Sequence, residues 1–323
     1  MDEVDDNQVR ERDAFAARRL EGRGRGLSYV GGAILIFAGW QISVIPLVLI
    51  VSWLGYPDAL QMIVNHVNWV DLPQSRDGVA LAACAILLMS LVLLLMVTWG
   101  VVKVLHGRSL LSVLSAHDRF QWRTALLSFS VYAGAMVLVS GASTVLGLRP
   151  ESVLVFDLWR WLPFFALVLL LTPFQALAEE AFVRGYLFQG VASVTSSVVL
   201  RIAIPAVLFT VMHSANGDFS AGGLWAFLIF LGFGAYFGLL TVRTSGVEAA
   251  TGAHTANNIF AFSVATSSGS GMPFATIFYE TEPSYMGGFF AILVVTGLHY
   301  FIFFKLYRPT VPTRPQSAEI PVA

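Results

Sequence analysis

Eight long runs of apolar residues, separated by short polar connections, organise the chain; they fall at residues 28–53, 79–105, 124–146, 159–189, 197–216, 222–242, 247–266 and 285–306. An α-helix needs about 20 apolar residues to cross a hydrocarbon core about 30 Å thick. In lipid only helices and closed barrels satisfy every backbone polar group. The pattern therefore predicts an all-α protein, a polytopic integral membrane bundle of about eight transmembrane helices. The fourth run is longer than a crossing requires and is expected to tilt or project. The fifth ends in Ser214, Asn216, Gly217 and Asp218, so it is expected to stop short of the opposite surface or to line a wet cavity. Gly232, Gly234 and Gly238 in the sixth are read as points of close helix approach.

Composition agrees with this. Hydrophobic residues make up 56% of the 323 and charged residues only 12%, about half the charged share of a soluble domain. Mean hydropathy is +0.73. The bilayer is thus the principal partner, and nothing supports nucleic-acid binding. The single cysteine, Cys84, lies in an apolar run and reads as a packed core residue, which leaves no disulfide framework and no cysteine-based metal site. The polar start shows no cleavable signal peptide, so the first span is expected to act as the targeting signal. Residues 1–27 and 309–323 are expected to be disordered cytoplasmic tails, with residues 28–308 as the transmembrane domain.

Charge then orients the bundle, because Lys and Arg near span ends are retained on the cytoplasmic side. With eight spans, Arg10, Arg12, Arg18, Arg19, Arg23, Arg25, Lys103, Arg108, Arg119, Arg123, Arg201, Arg243, Lys305, Arg308 and Arg314 share one side. Only Arg76, Arg149 and Arg160 fall opposite, among Asp58, Asp71, Asp77, Glu151, Asp157, Glu280 and Glu282. The reading is a multi-pass protein of the cell membrane with both termini cytoplasmic.

Three places break the apolar pattern: Glu179, Glu180 and Arg184 in the fourth run, His213 in the fifth, and His254, Asn257 and Asn258 in the seventh. An ionisable group near the bilayer centre costs about 2.5 kcal/mol or more, so such residues are functional candidates by default. Counting at about 1.5 Å per residue from Gln189, Arg201 and Arg243 places Glu179, His213 and His254 each roughly 15 to 18 Å deep. One shared site is the expectation. At about 100° per residue, Glu180 and Arg184 lie on one helix face and pair, leaving Glu179 free. His254 and Asn258 share a face with Asn257 turned aside, while Phe209 stands on the His213 face as a wall.

A carboxylate in a water-poor cavity can take a proton from water and later return it, which makes Glu179 the expected general base. An imidazole can hold that water, a task suited to His213. A histidine and an asparagine amide can donate to the oxyanion of a tetrahedral intermediate, a task suited to His254 and Asn258. Glu180, Arg184 and Phe209 support them. His66, His106, His117 and His299, near span ends or in connections, receive no role.

At these residues the sequence resembles the CPBP family of intramembrane endopeptidases, which includes type II CAAX prenyl proteases and bacteriocin-processing or bacteriocin-immunity proteins. The family's E-E-x-x-x-R is met by Glu179, Glu180 and Arg184, its F-x-x-x-H by Phe209 and His213, and its H-x-x-x-N by His254 and Asn258. The resemblance covers residues 159–266, the expected catalytic core. It implies an α-helical intramembrane peptidase acting on a peptide or membrane-protein substrate, with a cavity open to the cytoplasm and a glutamate-activated water rather than a cofactor. A zinc-dependent version of the same hydrolysis, recruiting Glu179, His213 and His254, is the alternative on ligand chemistry. A non-catalytic immunity or scaffold protein and a proton-coupled transporter are the rivals from other classes.

Overall fold

The computed structural model describes residues 14–24, 26–148 and 152–308. Helices form at all eight expected places: α1 Leu27–Trp53, α2 Asp77–Val104, α3 Trp122–Val145, α4 Leu158–Glu180, α5 Val198–Met212, α6 Gly217–Thr244, α7 Glu248–Ser263 and α8 Tyr285–Leu306. The α4 helix continues through a π-helical segment, Ala181–Leu187, and a last turn, Phe188–Ala192. Among the described residues six of these helices are long and apolar enough to cross a membrane, not eight. The α5 and α7 helices, with 15 and 16 residues, reach only about 22 to 24 Å. Each is cut short where its sequence turns polar: α5 at His213–Asn216, as anticipated, and α7 at Ser263, where the chain becomes extended.

That extended segment belongs to a small sheet the sequence did not predict. Its strands are β1 Ser152–Leu154, β2 Ala265–Ser267 and β3 Phe278–Glu280, ordered β1-β3-β2. Strand β3 pairs antiparallel with β1, Val153 opposite Tyr279, and parallel with β2, Thr266 opposite Tyr279. Three-residue strands carry too little alternation to be read locally; each exists because the other two satisfy its backbone.

The middle of the bundle is α4 and α7. On one side α2 packs against α4 and α1 against α2; behind α7 lie α3 and α8; on the other side α6 packs against α5, α7 and α8. Small residues set the close crossings. A Cβ on Gly252 would stand 2.1 Å from the carbonyl of Ala125, and one on Gly234 2.8 Å from the Cα of Ala206, so α7 meets α3, and α6 meets α5, backbone to backbone. Gly232, assigned the same task from sequence, faces open space. The α6 helix breaks at Gly223, whose φ of 50° is accessible to glycine. Cys84 is fully buried and free, as expected.

The connections gather at two ends. Residues 105–121, 193–197 and 245–247 share one end with the described start and finish of the chain, tied by Ala116 N–H to Ser245 O at 2.9 Å, Val247 N–H to Leu114 O at 2.8 Å and Gly26 N–H to Ser193 Oγ at 3.1 Å. Residues 54–76, 213–216, 264–284 and the stretch before α4 form the other, where Arg160 pairs with Asp77 at 2.7 Å and Arg76 with Asp58 at 2.9 Å.

One expectation about the tails is overturned. Residues 14–24 are packed rather than disordered: Ala14–Ala17 forms a helical turn and Arg18–Glu21 a 3-10 turn. Phe15 is fully buried against Phe188, their rings 6.0 Å apart, and Arg108 donates to the carbonyl of Arg18 at 2.9 Å. A polar stretch with one aromatic anchor has no pattern of its own; the pocket beneath it provides the order. The rest of the two expected tails, residues 1–13, 25 and 309–323, and the orientation markers Arg149 and Glu151 lie outside the described residues.

Candidate active site

A cavity of about 530 Å³ opens between α4, α5, α6 and α7, and Glu179, His213, His254 and Asn258 all line it. The convergence expected from counting residues is therefore present. Phe209 also lines it, whereas Glu180 and Arg184 stand behind the wall.

The two glutamates divide as helix geometry required. Glu180, fully buried, accepts from Arg184 at 3.0 Å. The guanidinium lies over the rings of Phe209, at 4.4 Å, and Phe237, at 5.4 Å, and also donates to the carbonyl of Gly234 at 3.3 Å. Desolvation this deep is offset by the facing carboxylate, the ring faces and the carbonyl, although the Nε–H of Arg184 is buried without a hydrogen-bond partner. The π-helical segment begins directly after Glu180 and carries Arg184 at its centre; Phe188 N–H reaches back five residues to Val183 O. Such widened turns recur at functional sites, where they re-aim side chains.

His254 joins the pair. Its Nδ1 stands 2.8 Å from Glu180 Oε1 and its Nε2 3.4 Å from Glu179 Oε2. A carboxylate can only accept, so Nδ1 carries a proton and donates it to Glu180. Phe237 stacks on the imidazole, ring centroids 5.1 Å apart. Glu179 Oε2 itself, though buried, makes no hydrogen bond within the protein. A buried carboxylate oxygen left open beside a cavity invites a hydrogen-bond donor into it.

His213 sits at the C-cap of α5, and its Nδ1 donates to the carbonyl of Phe209 at 2.8 Å. That bond fixes the tautomer and leaves the Nε2 lone pair for the cavity. Its ring lies between those of Phe209, at 4.2 Å, and Phe230, at 4.7 Å.

Asn258 departs from the expected picture in its company. Its Nδ2 donates to Gln175 Oε1 at 3.0 Å, and its Oδ1 accepts from Asn257 Nδ2 at 3.0 Å. Asn257, read from sequence as turned aside, lines the cavity as well. Three residues on a helix is 300°, so it lies only about 60° from His254. Gln175 was missed although it precedes Glu179 by four residues and shares its face. Phe230 and Phe237 gave no signal, since aromatic residues in an apolar helix look like any other lipid or core contact. Together the three amides orient one another and leave Asn258 one further N–H.

Among the described residues no three His, Cys, Asp or Glu side chains form a metal-ligand set.

Two other buried histidines lie outside the cavity and tie helices together. His106, to which sequence gave no role, bonds Arg23 O at 2.9 Å and Tyr186 Oη at 2.8 Å. His299 links Ser128, at 3.1 Å, and Tyr236; Ser128 in turn donates to Ala249 O at 2.6 Å. Ser128 and His299 are fully buried and away from the cavity, so this chain of bonds braces α7 against α3, α6 and α8.

Comparison with known proteins bears on the same stretch. The family model for type II CAAX prenyl endopeptidase Rce1-like proteins matches residues 159–260, which hold all seven motif residues. The chain is also similar to the uncharacterised protein YyaK of Bacillus subtilis (strain 168), 32% identical over 162 residues, covering 50% of this chain and 54% of YyaK. It thus spans about half the length of that curated relative. No solved structure matches.

Proposed function

On the match of residues 159–260 to the family model, we propose that the chain is a CAAX-type intramembrane protease of the CPBP family and that it hydrolyses a peptide bond of a membrane-associated substrate with Glu179 as general base. The observation that carries the proposal is the open Oε2 of Glu179, buried, beside a cavity and 3.4 Å from His254 Nε2.

In this reading a water in the cavity gives one hydrogen bond to Glu179 Oε2 and the other to His213 Nε2, which leaves an oxygen lone pair for the substrate carbonyl. Glu179 takes a proton as the C–O bond forms. The negative oxygen that develops is met by the remaining Nδ2–H of Asn258 and by Nε2 of His254. The latter requires a proton on Nε2 besides the one Nδ1 gives Glu180, and Glu179 and Glu180 supply the countercharge. Glu179 then returns its proton to the leaving nitrogen as the C–N bond breaks, so an acid and an amine are released and the site is restored. Arg184 and Glu180 hold His254 in place without touching substrate. No step calls for a metal.

The test is cleavage of membrane-anchored peptides by the purified protein in detergent, comparing Glu179→Gln with the unaltered chain, each with and without a chelator. General-base removal is expected to lower the rate by about 10²- to 10⁴-fold with the fold intact, and the chelator to change nothing. Equal cleavage by a folded Glu179→Gln protein overturns the role of Glu179. Loss of activity with the chelator, restored by zinc, overturns the metal-free mechanism.

A further inference from the structure

Along the bundle axis the residues that line the cavity extend from Glu179 toward one end, with Trp40, Leu87, Ser90 and Leu91 forming a side wall at the middle of α1 and α2. Its floor is formed by Glu179, Phe237 and His254; from there the lining continues through Met212 and Ile229 to Asn216, Asp218, Ser267, Ser270, Glu280 and Tyr285. All six of the last group belong to the end that carries the three-stranded sheet. No lining residue comes from the connections at the other end, residues 14–26, 105–121, 193–197 and 245–247.

That other end is closed by packed side chains. Arg108 donates to Gln189 at 2.8 Å, Gln189 donates to Ser112 O at 2.7 Å, and His106 bonds Tyr186. Phe15 and Val247 are fully buried, and so, at 1% exposed, is Phe188. The same end bears Arg18, Arg19, Arg23, Lys103, Arg108, Arg119, Arg123, Arg201, Arg243, Lys305 and Arg308. Among the described residues the sheet end bears only Arg76 and Arg160, both paired with aspartates. Basic residues mark the cytoplasmic side.

We propose that the cavity opens to the extracytoplasmic face, so that substrate reaches Glu179 from outside the cell membrane and not from the cytoplasm. This reverses the access side that resemblance implied, and it follows from joining the direction of the cavity to the distribution of charge. What enters rests on the peptidase reading; the access path does not. Among the described residues Asp218 and Glu280 line the mouth and no Lys or Arg does, while Tyr285 donates to Asp218 at 3.0 Å. A segment with acidic flanks or a free carboxylate is therefore repelled at the entrance, and a neutral or basic one is accepted.

The experiment is thiol labelling in spheroplasts with a charged, membrane-impermeant maleimide, in a Cys84→Ala background. Ser267→Cys and Asn216→Cys, both half-buried at the mouth, are the probes. Ser109→Cys, exposed at the closed end, is the control. The expected result is that the mouth probes react in intact spheroplasts and Ser109→Cys reacts only after permeabilisation. The opposite pattern overturns the proposal, and so does failure of both mouth probes to react in either condition, since the mouth would then be shut. Adding Glu179→Gln is expected to leave labelling unchanged, so loss of the peptidase reading and loss of the access path are read separately. In the purified protein, a bulky adduct on Ser267→Cys is expected to slow cleavage; labelling without slowing would overturn passage of substrate through this mouth.

Discussion

The buried pair behind the cavity offers the most quantitative test. Arg184 and Glu180 have side chains 1% and 0% exposed, so solvent screening removes little of their interaction. Replacing Arg184 by Met leaves Glu180 as a buried carboxylate held only by His254, and replacing Glu180 by Gln leaves a buried guanidinium with ring faces and the carbonyls of Phe233 and Gly234. Each loss of one partner is expected to cost about 3–5 kcal/mol, whereas exchanging both for uncharged side chains of similar size is often near neutral. Gln at 180 can still accept from His254 Nδ1, so the double variant Glu180→Gln/Arg184→Met should cost roughly 2 kcal/mol or less. Two single costs of at least about 3 kcal/mol against a double cost of at most about 2 kcal/mol put the coupling energy at about 4 kcal/mol or more in favour of the pair. Titration of the folded protein in mixed micelles with a denaturing detergent, followed by tryptophan fluorescence and far-ultraviolet circular dichroism, measures all four corners of the cycle. If the single costs add to the double within about 0.5 kcal/mol, the pair is not coupled and its account as mutual charge compensation fails.

Two further outcomes follow from other contacts. Asn257→Ala removes the donor that orients Asn258 Oδ1 at 3.0 Å; cleavage is expected to fall about tenfold, the effect of losing roughly 1.4 kcal/mol of transition-state stabilisation, with kcat reduced and thermal stability unchanged. His106 is buried between Arg23 and Tyr186, and burial, helped by nearby Arg108, holds its pKa below the ordinary 6.5. Below that ordinary value the unfolded chain takes up a proton the folded one refuses, so stability is complete above about pH 6.5 and is lost on acidification, at up to about 1.4 kcal/mol per pH unit. Thermal unfolding between about pH 7.5 and 5 should show a shallower decline in His106→Gln than in the unaltered chain; equal slopes would remove His106 from the account.

How far the sequence reached depended on whether a property was local. Helix positions were legible because each run is apolar along most of its length, and in lipid that alone forces intrachain hydrogen bonds. The pairing of Glu180 with Arg184 and the freedom of Glu179 were legible from the angular period of a helix. The same period contained Gln175 and the neighbouring placement of Asn257, which amide chemistry did not single out. The seventh run was read as helix through residue 266, so neither the end of α7 at Ser263 nor the strand that replaces it was legible, because β2 exists only alongside β3.

By itself, the sequence determined a helical membrane bundle, the order of its elements, the identity of the charged and imidazole groups that must avoid lipid, and their common depth. Tertiary structure alone decided that His254 bridges both glutamates, that residues 14–24 pack over Phe188, and that the cavity opens at the sheet end. Each of these joins segments far apart in the chain. Which wall a side chain meets, and which way a cavity opens, depend on how helices cross, and the crossings are set by pairs of surfaces that no single run of residues contains.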